Sequence, residues 1–222
     1  MKFTIRQVTK PTETELVKMS KMAATAFEGD GFLMAVIGAN PMLNIPYHRA
    51  QLIAASIDGK IFVAEDASSN ILGVALWFPP GTTMFSGEQQ HRAAFLPFIQ
   101  KCSPEIQQWW NDMFLVDHPK SSQQLIGKNL LKQAWQLELL AIDPQYQGKG
   151  IGSALVRDGQ RRIFAEKKLI YLDTQKKEHV PFYQRLGFVL HGHQEFRSID
   201  GGFSLFCMMS YWSKPAVGIT VV

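Results

Sequence analysis

Apolar and polar residues alternate over Phe3-Thr4-Ile5-Arg6-Gln7-Val8, which predicts a strand with one buried face. Pro11-Thr12 then opens a helix. Thr12 with Glu15 three residues on has the spacing of a reciprocal N-terminal cap. Leu16, Met19, Ala23 and Phe27 make one apolar stripe at helical spacing, and Gly29-Asp30-Gly31 ends it. Residues 32–57 read as a second helical region, interrupted near Asn40-Pro41 and Pro46 and strongest from Tyr47 to Ile57. Ile61–Ala64 and Ile71–Phe78 are the two strands of a hairpin. Asp66-Ala67-Ser68-Ser69-Asn70 supplies its turn, and Pro79-Pro80-Gly81 stops it.

The pattern changes over 82–134, which is rich in Gln, Met and aromatic residues, with helix-like runs near 89–100 and 104–115. This segment reads as a helical insertion over one face of the sheet, covering apolar surface. Gln136 to Ile142 is a strongly apolar strand, expected to be buried on both faces and broken by Asp143-Pro144. A glycine-rich loop leads into a helix from about Gly150 to Lys167, where Ile151, Leu155, Gly159 and Ile163 recur at four-residue steps. Leu169–Asp173 is the next strand, and Val180–Leu186 is a short helix stopped by Gly187. Phe188–Leu190 and Phe203–Met209 are closing strands around a turn at Asp200-Gly201-Gly202. The expected fold is α/β (α+β): one domain over 1–222, with a mixed, mostly antiparallel sheet and helices on both faces. The insertion falls between the third and fourth strands.

Composition narrows the picture. The 222 residues, 46% hydrophobic and 19% charged, suffice for a core without disulfide or metal staples. Lys+Arg 23 against Asp+Glu 19 leaves +4, which suits an anionic ligand and is too small to imply nucleic acid. Cys102 and Cys207 lie far apart with no zinc spacing around them, so both are expected as reduced thiols without a covalent role, and no metal is expected. No early apolar leader and no membrane-spanning run is read, which makes the expected location cytoplasmic, with no membrane partner.

The chemistry concentrates in 136–190. Gly148, Gly150 and Gly152 alternate where a helix begins. Glycines let the backbone approach a ligand closely, and the first turn of a helix has free N–H groups at its positive end. Together these make a phosphate site, with Lys149 adding a charge. A Walker loop does not fit, because Lys149 follows the first glycine and no Ser or Thr follows it. A dinucleotide fingerprint fits better, since Gly148-x-Gly150-x-x-Ser153 nearly matches and Asp173 stands at the distance of a ribose contact. Against it, Asp143 to Gln147 separate the glycines from the strand, and too little chain remains after Asp173 for more parallel units.

Gln147-Gly148-Lys149-Gly150-Ile151-Gly152, after Leu139-Leu140-Ala141-Ile142-Asp143-Pro144-Gln145-Tyr146, resembles the acyl-CoA signature of the GNAT N-acetyltransferases, Gln/Arg-x-x-Gly-x-Gly/Ala. Val180-Pro181-Phe182-Tyr183-Gln184-Arg185-Leu186-Gly187-Phe188 is similar to a second motif of that family, with His179 where Asn is common. The resemblance implies a GNAT-like fold and acetyl-CoA as co-substrate. It implies direct acetyl transfer to a primary amine in a ternary complex. The pyrophosphate would sit on the N–H groups of residues 148–153, including Ile151 and Ser153. Pantetheine would enter a gap between splayed strands and pair with backbone near Leu140, Ala141 and Ile142. An N–H there would hold the oxyanion. His179 and Phe182 would contact CoA. Tyr183 is expected to protonate the leaving thiolate, since a phenol stays protonated at neutral pH. Glu138, a lone carboxylate in an apolar strand, is the candidate base, with ordered water as the alternative.

Weaker candidates complete the reading. Trp77, Phe78, Phe85, Trp109 and Trp110 are candidates for an apolar acceptor pocket or plain core. Glu28-Gly29-Asp30 stands where acids attract a cationic amine. Arg157, Arg161, Arg162, Lys167 and Lys168 read as a solvated helix face within reach of a 3′-phosphate. The expected partner is a small-molecule or peptide amine, and the protein is a monomer or homodimer. Two rival functions stay open: a catalytically silent acyl-CoA-binding module and an NAD(P)-binding Rossmann enzyme.

Overall fold

A computed structural model of the protein describes residues 2–166, 168–198 and 201–211. Strand β1 (Thr4–Val8) leads to helix α1 (Glu13–Ala26), where Thr12 and Glu15 form the reciprocal cap. Asp30, read as part of a helix stop and as an acid that could attract an amine, caps α2 (Gly31–Ile37) by accepting a hydrogen bond from Leu33 N. A 3-10 turn at Pro41–Leu43 enters α3 (Asn44–Asp58), and Pro46 sits in its first turn, where no helical hydrogen bond is lost. The hairpin β2 (Lys60–Glu65) and β3 (Ile71–Phe78) follows.

The segment between β3 and β4 is helical. A first arm runs α4 (Glu88–Gln90), a π turn, and α5 (Leu96–Ile99). A second runs α6 (Pro104–Trp109), a π turn at Trp110–Phe114, and α7 (Leu115–Ile126), followed by α8 (Lys128–Leu131). These helices do more than cover one sheet face. The first arm packs on α3, and the second reaches β6 and β7. Two indoles anchor the second arm: Trp110 Nε1 donates to Val36 O at 2.8 Å and Trp109 Nε1 to Arg197 O at 3.1 Å.

The remaining elements are β4 (Ala134–Ile142), α9 (Ile151–Ala165), β5 (Leu169–Thr174), α10 (Val180–Arg185), β6 (Phe188–Ser198) and β7 (Gly201–Ser210). The last two strands outrun their predicted lengths. Asp200 in the predicted turn lies outside the described residues, as does Lys167. The sheet order is β1-β2-β3-β4-β5-β7-β6, antiparallel except at β4–β5. This excludes a doubly wound parallel sheet, and with it the Rossmann alternative. Helices α1, α2, α3 and the insertion bury one face of the sheet, and α9 and α10 the other.

Two departures from regularity shape the middle of the sheet. First, β4 and β5 pair only over Ala134–Gln136 against Leu169–Tyr171. Beyond Gln136, β4 stays with β3 while β5 stays with β7. The strands therefore part, and one edge of β4 loses its partner. Second, Leu139 faces Leu76 and Leu137 faces Trp77, so Glu138 is an extra residue in β4. Such a bulge reverses the alternation of faces. Trp135 and Leu137 before it, and Leu140 and Ile142 after it, join the cluster under α9. The expected burial of β4 on both faces is not found. Gln136, Glu138, Leu140 and Ile142 are only partly buried, because they border the opening between the strands.

Candidate active site

A continuous cleft of about 1140 Å³ follows the gap between β4 and β5. Its lower end is the loop into α9. Gly148 (φ +73°) and Gly150 (φ +82°) hold the left-handed conformation, which side chains resist. No side chain caps α9, and its first intrahelical bond runs from Ala154 N to Gly150 O. The N–H groups of Ile151, Gly152 and Ser153 therefore lack a helical partner. Gln147 steadies the loop, its Nε2 donating to Ile142 O at 3.2 Å. Gln147, Gly148, Gly150, Ile151, Gly152 and Ser153 all line the cleft. Lys149 does not; its ammonium donates to Gln145 O at 2.8 Å and lies over the Tyr146 ring.

Leu140, Ala141 and Ile142 form one side of the cleft, and α10 forms the other, through Phe182 and Tyr183. Tyr183 is buried, edge-on to Phe182 and Phe188. Its hydroxyl has no hydrogen-bond partner among the described residues. Burial pushes the phenol well above its ordinary range, so it keeps its proton at any working pH. His179 also lines the cleft, 3.3 Å from Thr174 Oγ1 through Nδ1, and burial lowers its pKa.

Glu138 stands at the centre. Burial raises its carboxyl to about 7, the charge of Asp173 adds to this, and His118 opposes it. Gln136 Nε2 donates to its Oε2 at 2.8 Å. The sequence did not single out His118. It comes from α7, where the ring stacks on Phe114, and its Nε2 meets Asp173 Oδ2 at 2.8 Å. Burial alone would lower the imidazole pKa. The hydrogen bond and charge of Asp173, with the charge of Glu138, more than reverse this. Tyr171 Oη touches the same Asp173 oxygen and lies 2.9 Å from Ser122 Oγ. Asp173 was the ribose candidate of the dinucleotide reading, and here it holds an imidazole.

The upper end of the cleft is apolar. Phe27, Phe32, Tyr47, Phe85, Trp110 and Phe114 line it. Of the aromatic residues singled out in the sequence, Phe85 and Trp110 reach the cleft, and Trp109 packs beside it without lining it. Trp77 and Phe78 are core. His48 is buried and neutral there, its pKa lowered to about 4 by burial, with Nε2 unpartnered. Asp30 lines the cleft and pairs with Lys176 Nζ at 3.0 Å; Glu28 does not line it. Arg161 and Arg162 pair with Asp158 on the outer face of α9. Both cysteines are buried, and burial lifts the Cys102 thiol to about 11 and the Cys207 thiol higher still. No group of three or more possible metal ligands occurs among the described residues.

Residues 85–208, more than half of the chain, match the family model described as an acetyltransferase (GNAT) domain. Solved structures share the fold. One from Corynebacterium glutamicum, described as histone acetyltransferase HPA2 and related acetyltransferase, has 24% identity and a TM-score of 0.66, over 98% of this chain and 100% of that one. Arylalkylamine N-acetyltransferase 2 of Aedes aegypti has 15% identity and a TM-score of 0.61, over 94% and 99%. The ribosomal-protein-S18-alanine N-acetyltransferase of Escherichia coli has 13% identity and a TM-score of 0.54, over 99% of each chain.

Proposed function

The chain belongs to the GNAT acetyltransferases, and from that premise we propose that it moves the acetyl group of acetyl-CoA directly onto a primary amine, both being bound at once. The observation that carries this reading is the single cleft. It joins free helix N–H groups, an unpaired strand edge and a carboxyl titrating near neutrality. The pyrophosphate takes the N–H groups at 148–153, where anions are favoured by the helix dipole. Pantetheine fills the gap and pairs with the free edge of β4 near Leu140 to Ile142. A backbone N–H there stabilises the oxyanion of the tetrahedral intermediate.

Glu138 takes a proton from the incoming ammonium. The amine attacks the thioester carbonyl, the C–S bond breaks, and Tyr183 protonates the departing thiolate. Much of the acceleration comes from holding the two reactants together. The aromatic upper end of the cleft favours an amine on an apolar body, small molecule or peptide side chain. Arylalkylamine acetylation by a relative of the same fold agrees with this. The whole of 1–222 serves as one catalytic domain, with 82–134 building the acceptor end. The reaction needs no metal. No described helix is long and apolar enough to cross a membrane, in keeping with work in the cytoplasm.

Gly150→Asp tests the loop. A carboxylate there meets the pyrophosphate as a like charge. Acetyl-CoA binding by calorimetry should be abolished in a variant that still melts cooperatively; unchanged affinity overturns the phosphate assignment. The acceptor is found with an amine panel and mass spectrometry of the products. Tight acetyl-CoA binding with no product from any amine marks a silent binding module instead.

A further inference from the structure

We propose that His118, brought in by the insertion and fixed by Asp173, is the relay through which Glu138 passes on the proton of the acceptor ammonium. The inference rests on the acetyl-transfer reading. Its starting point is that Glu138 lies in an apolar strand and is held by Gln136, so the proton it gains needs a way out. His118 supplies one, since its side chain keeps 22% of its surface exposed while lining the same cleft.

The geometry fixes the ring's chemistry. An ionised carboxylate only accepts, so Nε2 donates its N–H to Asp173 Oδ2. Tyr171, with a single hydroxyl proton, donates to the same oxygen. That leaves Nδ1 of the neutral imidazole with its lone pair, and it has no hydrogen-bond partner among the described residues. The Phe114 ring, stacked 5.2 Å away at 8°, fixes the plane. A carboxylate on one ring nitrogen both orients an imidazole and stabilises the imidazolium when the other takes a proton.

The charged neighbours are few. Asp173 on β5 bonds His118 directly, Glu138 on β4 lines the same cleft, and the charge of each raises the imidazole pKa. Tyr171 on β5 and Cys207 on β7 stay protonated, since burial pushes both up. Ser122 on α7 and Phe196 on β6 are neutral. Asp30 at the head of α2 is engaged by Lys176. Burial raises the Glu138 carboxyl, and Asp173 raises the His118 imidazole in spite of its burial, so each takes up a proton more readily than the free side chain does.

The step balances. The ammonium gives one proton to Glu138, which passes it through water in the cleft that both residues line to Nδ1 of His118, and the imidazolium releases it to solvent. Tyr183 gives its proton to the departing thiolate and is restored by the second proton, which the amine nitrogen loses after attack, so that the phenol is again protonated at the end. His118 acts through Glu138 and is a positioning and relay residue.

His118→Gln tests it, because glutamine keeps a donor for Asp173 and lacks a titrating nitrogen. We expect kcat to fall about 10–100-fold, with acetyl-CoA affinity and melting temperature close to the parent, and partial recovery on adding free imidazole. Asp173→Asn should move the acidic limb of kcat to lower pH, since the imidazolium loses its counter-charge. The ring is also followed by NMR without turnover. Its titration in the parent should shift down in Glu138→Gln. Parental kcat and pH profile in His118→Gln overturn the relay, and so does a ring titration indifferent to Glu138→Gln and Asp173→Asn. If His118→Gln does not fold, Asp173→Asn and the ring titration decide. Should the parent acetylate no amine, acetyl transfer falls, while the ring titration still judges the proton pair.

Discussion

At Glu138, one inserted residue in β4 turns a carboxyl out of the regular alternation and into the cleft, where burial lifts its pKa to about 7. The catalytic sign is simple: a base works deprotonated, so kcat should rise with pH through about 7. Glu138→Gln should lose about 10²–10⁴-fold and flatten that limb. The stability sign is the opposite. A carboxyl whose folded pKa exceeds its unfolded 4.5 stabilises below that value, and this contribution is lost as pH rises through about 7. Glu138→Gln should therefore gain on the parent in melting temperature as pH goes from 5 to 8. An equal difference at both pH values would contradict the shift. Tyr183→Phe removes a hydroxyl without a partner and keeps the ring contacts with Phe182 and Phe188. Melting temperature and acetyl-CoA affinity should hold while turnover falls. Normal turnover in a destabilised variant would make Tyr183 a core residue only. Sequence alone reached these two residues, one as a lone acid among apolar neighbours and one through a motif. It did not reach His118, because that residue meets Asp173 across 55 positions and no spacing announces such a pair.

Among the elements, α9 was the most legible. Ile151, Leu155, Gly159 and Ile163 are all buried, as four-residue steps require. Gly159 has a reason that spacing does not give: a Cβ there would lie 2.3 Å from Trp77 Cζ2. The helix sits directly on the indole, which is why Trp77 belongs to the core and not to the cleft. Gly159→Val should cost about 1–3 kcal/mol by overpacking. A fall of roughly 2–4 °C per kcal/mol is expected in a scan. An unchanged melting temperature would mean the helix is not seated there. Strand β4 was legible as a strand, while its two-sided burial was not the outcome. Apolar content alone does not distinguish a strand covered by helices from one bordering a ligand-sized gap. The bulge and the parting of β4 from β5 depend on which partner each strand keeps, and a single strand's residues carry no record of that. The insertion was legible as helical, and Phe85 and Trp110 as candidates for a pocket wall, while His118 was not. The insertion's contribution to the cleft includes Phe85, Trp110, Phe114 and His118, the last three in or just after the π turn at Trp110–Phe114, where helix register shifts.

Over the whole molecule, one sheet brings together what the chain separates: a carboxyl on β4, a phenol on α10, an imidazole on α7 and a glycine loop before α9. All but Lys149 of the expected contact residues border one cleft, and an aromatic end closes it from above. This favours a reaction in which acetyl-CoA and amine meet face to face, with no acetylated protein between. Both thiols are buried and held protonated, so neither offers a nucleophile for a two-stage route. The most direct test is an initial-velocity matrix of acetyl-CoA against the best amine of the panel, with intact-protein mass measured after acetyl-CoA alone. Direct transfer predicts lines that intersect in the double-reciprocal plot and a protein of unchanged mass. Parallel lines together with an acetylated protein would contradict it.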